Sequence, residues 1–205
     1  MRKETTTTKN RKIDVRVLTF TPMLAVIAFI LMYIEVSVPI MPSFLKFDIS
    51  DMPAFIGSFA FGPVCGALIC VIKNLLHLPF SHTAGIGELA NCLVGICYVI
   101  PAGIIYKVRK SKRHALFGSL VGCCVAGLVS LPVNYFIVYP FYYTMMPKEA
   151  ILGLYKAILP IVNDIFSCLL IFNLPFTIVK GIIATIITML IYKPLSPIIK
   201  GRKQE

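Results

Sequence analysis

The sequence predicts an all-α, polytopic membrane protein of six transmembrane helices with both termini on the cytoplasmic side. Three observations carry that expectation. The chain is 58% hydrophobic and only 14% charged, with a mean hydropathy of +0.85, whereas soluble domains are about half apolar and a quarter charged. Its apolar residues gather into runs near the ~20 residues needed to cross a hydrocarbon core. Its net charge of +11 is concentrated in three clusters beside those runs: Arg2 to Arg16, Lys107 to Arg113, and Lys193 to Lys203. Basic clusters flanking apolar spans mark cytoplasmic loops. All three are therefore expected inside, against anionic membrane lipid and not nucleic acid.

The elements follow in order. The basic stretch 1–16 and the long apolar run after it do not fit a signal peptide, and Pro39 and Pro42 stand where a small-residue cleavage site would be needed. Val17 to Val38 is read as a retained first span running outward. The apolar sequence from Met52 to Leu78 is broken at Phe61-Gly62-Pro63. Read as one span, it would put the 107–113 cluster outside; read as two spans joined by a tight turn, it returns that cluster inside, and this reading is adopted. The span ending at Gly62 is short, so it must begin within the Asp48 region or sit in a locally thinned bilayer. A fourth span, about Gly87 to Tyr106, runs inward, and a fifth, about Ala115 to Tyr139, runs outward. The segment from Pro140 to about Phe172, interrupted by Pro147, Lys148, Glu149, Lys156, Pro160 and Asp164, stays outside. A sixth span, about Leu174 to Tyr192, returns to the basic tail 193–205. Nothing separates a second domain, so 1–205 reads as a single integral-membrane domain.

This topology gathers the polar residues at the outer side. Lys46, Lys73, Lys148, Lys156 and Lys180 lie there, as do Glu35, Asp48, Asp51, Glu88, Glu149 and Asp164. Ionisable groups within apolar spans are expensive and mark functional sites by default, and their concentration at one end suits a held ligand better than a conducting path. Lys73, Asn74 and His77 share a helical face, as do Glu88 and Asn91. They form either a buried Lys73–Glu88 pair that fixes the hairpin or a set of direct ligand contacts. Asn134 either satisfies backbone freed by Pro132 or hydrogen-bonds a ligand. Lys180 lies on one face with Thr177; its ammonium snorkels, or it meets a carbonyl, a carboxylate or a ligand. Asn173, ahead of Pro175, reads as a helix N-cap. Lys46 completes the candidate set from the loop before the second span. On the cytoplasmic half, Thr21, Ala25 and Ala28 are small and closely spaced, which lets another helix approach, either within the bundle or from a partner subunit.

Other chemistry is not expected. The seven cysteines lie within apolar runs and show no CxxC or Cys/His zinc spacing, and His77, His82 and Glu88 match no ligand pattern. No metal or cofactor is expected. There is no GxxxxGK[ST] loop and no Ser/His or Cys/His pair with a supporting acid, so no enzymatic activity is expected either. A channel would call for a polar stripe through the full thickness, which the outer-side placement does not provide.

Six stretches, in order along the chain, carry a resemblance: Phe44-Leu45-Lys46-Phe47-Asp48-Ile49-Ser50-Asp51-Met52-Pro53-Ala54, Phe61-Gly62-Pro63, Lys73-Asn74-Leu75-Leu76-His77, Gly87-Glu88-Leu89-Ala90-Asn91, Asn134-Tyr135-Phe136 and Pro175-Phe176-Thr177-Ile178-Val179-Lys180-Gly181. Together they resemble the riboflavin-specific S component of energy-coupling factor (ECF) transporters. The resemblance implies a six-helix bacterial cell-membrane protein that captures riboflavin near the outer face, with Asn134 and Lys180 as polar contacts and Leu45 with its neighbours as apolar cover. Thr177 stands where that family commonly has asparagine. The resemblance also implies a first-helix docking face, here Thr21 and Ala25, and partners comprising a transmembrane coupling subunit and two ATPase subunits. S components for thiamine, folate or pantothenate share the architecture, and a carboxylate-bearing vitamin would also suit a buried Lys180.

Overall fold

The computed structural model describes residues 15–38, 41, 46–81 and 83–200, with side chains to 192. Helix α1 (Val15–Met32) leads into a two-residue ribbon in which β1 (Val36–Ser37) pairs antiparallel with β2 (Lys46–Phe47). Then come α2 (Met52–Phe61), α3 (Pro63–His77) with a 3-10 turn at Leu78–Phe80, and α4 (Ile86–Val108). Helix α5 (Lys112–Val133) passes through a π-helical turn at Asn134–Val138 into α6 (Tyr139–Met145). After α7 (Lys148–Ile158), α8 (Ile165–Cys168) passes through a second π-helical turn at Leu169–Asn173 into α9 (Leu174–Lys200). Among the described residues, five continuous helices are long and apolar enough to cross a membrane.

The expected second span is not one of the five. Helix α2 has 10 residues, about 15 Å at 1.5 Å per residue, half of a hydrocarbon core. It is enclosed by protein instead: every residue from Met52 to Phe59 is buried. The missing depth is supplied by the chain before it, because Ser50 and Asp51 are themselves buried. At the other end of α2, Phe59 packs edge-on against Tyr106 of α4 and Tyr192 of α9, close to the basic 107–113 cluster. The turn from α2 to α3 falls at Gly62, whose φ of 107° is open to glycine, and Pro63 opens α3 without losing a needed N–H.

The end of the fifth span and the start of the sixth also differ from the sequence reading. The fifth rod continues to Met145 and the sixth begins at Ile165, because the π-helical turns absorb local irregularity without ending the helices. Asn173 is therefore no N-cap; it lies inside a continuous rod. Between the rods, α7 buries Ile151 and Tyr155 against Val162, Ile165, Leu169 and Phe172.

The core that positions the site is the packing of α4, α5 and α9 around Tyr98. A Cβ on Gly122 of α5 would lie 2.2 Å from the Tyr98 carbonyl oxygen, and one on Gly181 of α9 would lie 2.4 Å from its ring. Small residues let helices approach this closely in a membrane, where packing replaces the hydrophobic drive. Outward faces carry exposed Leu18, Ile30, Phe117, Leu128 and Leu190, the surface expected to meet lipid tails.

Candidate functional site

A cavity of about 200 Å³ lies between β2 and its following loop, α4, the α5 π-turn and α9. Lys46 and Asp48 border it from the loop side, Asn91 and Tyr98 from α4, Ser130 and Asn134 from the α5 rod, and Asn173, Phe176, Thr177 and Lys180 from the α9 rod. Both π-helical turns contribute an asparagine. A single inserted residue rotates the following helical face by about 100°, and such turns occur often at functional sites. In the α5 rod this lets Ser130 and Asn134 face the cavity while Val138 and Tyr139 are buried farther along.

The hydrogen-bond inventory separates groups already used from those still available. Asn134 Nδ2 donates to the Ser130 carbonyl at 2.7 Å, while its amide oxygen accepts nothing from the described residues. The Asn91 side chain likewise makes no hydrogen bond to them, although it borders the cavity. Thr177 Oγ1 donates back to the Asn173 carbonyl at 2.8 Å, and the Tyr98 hydroxyl donates to the Thr177 carbonyl. Asn173 Oδ1 accepts from the Tyr155 hydroxyl at 3.2 Å, which in turn bonds the Tyr139 hydroxyl. Asn134 and Asn91 thus retain amide capacity toward the cavity, and Thr177 can still accept there.

Asp48 and Lys180 line one wall and belong to a four-membered ionic network with Lys73 and Asp51 behind it. Lys180 Nζ lies 2.7 Å from Asp48 Oδ2 and 3.6 Å from Asp51 Oδ2. Lys73 Nζ, fully buried, lies 2.6 Å from Asp51 Oδ1 and donates to Ser50 Oγ at 2.7 Å. Asp48 Oδ1 accepts from the Ser50 N–H at 2.9 Å and from its hydroxyl at 2.5 Å. Burial pushes the Asp48 carboxyl pKa up, but the Lys180 and Lys73 ammonium groups and the hydrogen bonds from Lys180 and Ser50 outweigh it, holding the carboxyl well below its ordinary range. Lys180 does not snorkel; it is held by carboxylates from the loop before α2.

Of the residues singled out from sequence, Lys46, Asn91, Asn134, Thr177 and Lys180 come together at this cavity. Asn74 and Glu88 do not. They border a separate cavity of about 260 Å³ between α3 and α4, with Val71, Leu75, Leu78 and Leu89. There Asn74 Nδ2 donates to the Cys70 carbonyl at 2.8 Å, and Glu88 accepts from Ser81 Oγ at 2.7 Å and meets His77 Nδ1 at 2.9 Å. The expected Lys73–Glu88 pair is replaced by Lys73–Asp51 and His77–Glu88, because α2 buries its acidic start against the inner face of α3 while His77 lies a turn farther out. Leu45 and His82 lie outside the described residues. The proposed docking stripe is turned inward: Thr21, Ala25 and Ala28 are buried, and Thr21 Oγ1 contacts Cys65 Sγ of α3 at 3.1 Å.

Sequence reasoning missed Asp48 and Asp51 as part of the site, along with Tyr98, Ser130, Asn173 and Phe176. The two aspartates left a signal. Two lysines deep in apolar helices need two carboxylates, since burying an unpaired ammonium is prohibitive, and Asp48 and Asp51 were the nearest acids in the loop ahead of the short helix.

Residues 16–192 match the sequence profile of the family described as ECF transporter, substrate-specific component. The chain is 33% identical over 178 residues to the riboflavin transporter RibU of Staphylococcus aureus, covering 87% of this chain and 89% of the relative. It is 28% identical over 192 residues to the riboflavin transporter FmnP of Bacillus subtilis, covering 92% and 96%. A solved structure described as the S component of a bacterial ECF transporter superimposes with a TM-score of 0.72 at 32% identity, covering 91% of this chain and 99% of that one. The helical membrane bundle, the matched length and these likenesses agree, and the chain belongs to the substrate-specific component family of ECF transporters.

Proposed function

We propose that this chain captures riboflavin near the outer face of the bacterial cell membrane, with the 200 Å³ cavity as its binding site, and hands it to an ECF coupling subunit and two ATPases for uptake. It is a transport subunit and not an enzyme. The whole of 1–205 serves as one substrate-binding domain. The observation that carries the reading is the convergence of Asn91, Asn134, Thr177 and Lys180 on one cavity, with two amides still short of partners, in a chain whose relatives are riboflavin transporters. A flat heterocycle with carbonyls and ring nitrogens along its edge uses such a set of donors and acceptors, while Phe176 and Tyr98 offer aromatic surface.

The test is the absorption spectrum of the detergent-purified protein, followed by uptake of labelled riboflavin into cells carrying or lacking the coupling module. A flavin spectrum copurifying with the protein, and uptake only when the module is present, are the expected results. A colourless protein that stays colourless after incubation with riboflavin and washing would contradict the reading.

A further inference from the structure

The charges around the cavity are matched in pairs. Lys180 meets Asp48 at 2.7 Å and Asp51 at 3.6 Å, Lys73 meets Asp51 at 2.6 Å, and Lys46 at the rim meets Glu35 at 2.5 Å. Three cations thus face three carboxylates. The other polar lining groups, from Asn91, Tyr98, Ser130, Asn134, Asn173 and Thr177, are uncharged.

An unpaired ammonium in this low-dielectric wall would attract an anion strongly. The same ammonium closed onto a carboxylate supplies hydrogen-bond donors with little net field. Asp48 makes that difference. Its side chain is 12% exposed, and its other oxygen is held by the Ser50 N–H and hydroxyl at 2.9 and 2.5 Å, so its position opposite Lys180 is fixed by the loop itself. Asp51 is a weaker partner, because its Oδ1 is committed to Lys73 at 2.6 Å and its Oδ2 stands 3.6 Å from Lys180, beyond hydrogen-bonding distance. An anionic group brought into the cavity would face the Asp48 carboxylate or would have to displace it from Lys180.

We propose that Asp48 sets the charge class of the ligand: by cancelling Lys180 it makes the cavity select an uncharged ring system over an otherwise similar molecule carrying a phosphate or carboxylate. This rests on the riboflavin reading above and deepens it, since riboflavin is uncharged at neutral pH and its 5′-phosphate adds a charge of roughly −1.5 to −2. It also separates this cavity from one built for a carboxylate-bearing vitamin, for which Lys180 would have to stand unpaired.

The test titrates the purified full-length protein with riboflavin and with riboflavin 5′-phosphate, reading quenching of flavin fluorescence and comparing the ratio of the two Kd values. Native protein is expected to hold riboflavin tighter by about tenfold or more. Asp48→Asn keeps the shape but leaves Lys180 with only the 3.6 Å contact to Asp51 Oδ2, and is expected to lower that ratio by about tenfold. Lys180→Gln leaves Asp48 uncancelled and raises the ratio, and the double variant returns it to near the native value, which a purely structural role would not do. Should Asp48→Asn fail to fold, Lys180→Gln alone decides: a raised ratio supports the proposal and an unmoved one overturns it. Equal native affinities, or ratios unmoved in both single variants, also overturn it while leaving riboflavin capture in place. Native protein that binds neither flavin removes the riboflavin reading and takes the charge rule with it.

Discussion

Lys73 shows how a single residue was half legible. Its depth in an apolar helix announced a buried partner, but the partner came from 22 residues upstream in sequence and not from Glu88. Which carboxylate reaches it depends on how α2 packs against α3, and a sequence pattern carries no such information. With Lys73 fully buried, Lys73→Met leaves Asp51 with only the longer contact to Lys180. Removing one partner of a buried ion pair costs about 3–5 kcal/mol, and chemical denaturation in detergent should register about 3 kcal/mol of lost stability. Replacing both partners, in Lys73→Met/Asp51→Asn, should recover part of it. Asp48 makes a second prediction at this scale. Its folded pKa is depressed below the ordinary 3.8, so its contribution to stability is complete above that value and is lost only as pH falls toward the folded pKa. Riboflavin affinity should therefore be flat between about pH 5 and about pH 8. A carboxylate-type step near the middle of that window would show that the Lys180–Asp48 pair does not hold.

At the scale of elements, hydropathy and charge located all five long helices, matched both ends within a few residues for Pro63–Phe80 and Ile86–Val108, and placed the break at Gly62-Pro63. Three features escaped them. Helix α2 is enclosed by protein, and an apolar run reads the same whether lipid or protein surrounds it. The π-helical turns leave no hydropathy signal, yet they bring Asn134 and Asn173 to the cavity. The stripe Thr21, Ala25 and Ala28 is buried, but small residues do not say which helix approaches. Gly122 is the sharpest test of packing at this scale. A Cβ there meets the Tyr98 carbonyl oxygen, a backbone atom that cannot swing aside. Overpacking of a core costs about 1–3 kcal/mol, and Gly122→Val should fall at or above the top of that range. It should also weaken riboflavin binding, because Tyr98 lines the cavity; thermal melting and flavin titration of the variant check both.

Across the whole molecule, the apolar helical bundle was legible from composition and the placement of charge, because the bilayer constrains both strongly. The site was legible in part: Asn91, Asn134, Thr177 and Lys180 meet at one cavity, while Asn74 and Glu88 face another. The separation follows from helix rotation, since Glu88 and Asn91 are three residues apart on α4 yet lie on the borders of two cavities. The resulting picture is a bundle whose last span is tied to the loop before α2 through Lys180 and Asp48, 132 residues apart in sequence, with the candidate binding cavity beside that tie. The measurement closest to this picture is a riboflavin titration of native protein, Asn134→Leu and Lys107→Ala, read by flavin fluorescence quenching alongside a thermal melt. We expect saturable binding by native protein, unchanged binding by Lys107→Ala in the basic cluster, and at least about tenfold weaker binding by Asn134→Leu with the melt preserved. Equal binding by all three would contradict the assignment of this cavity to riboflavin.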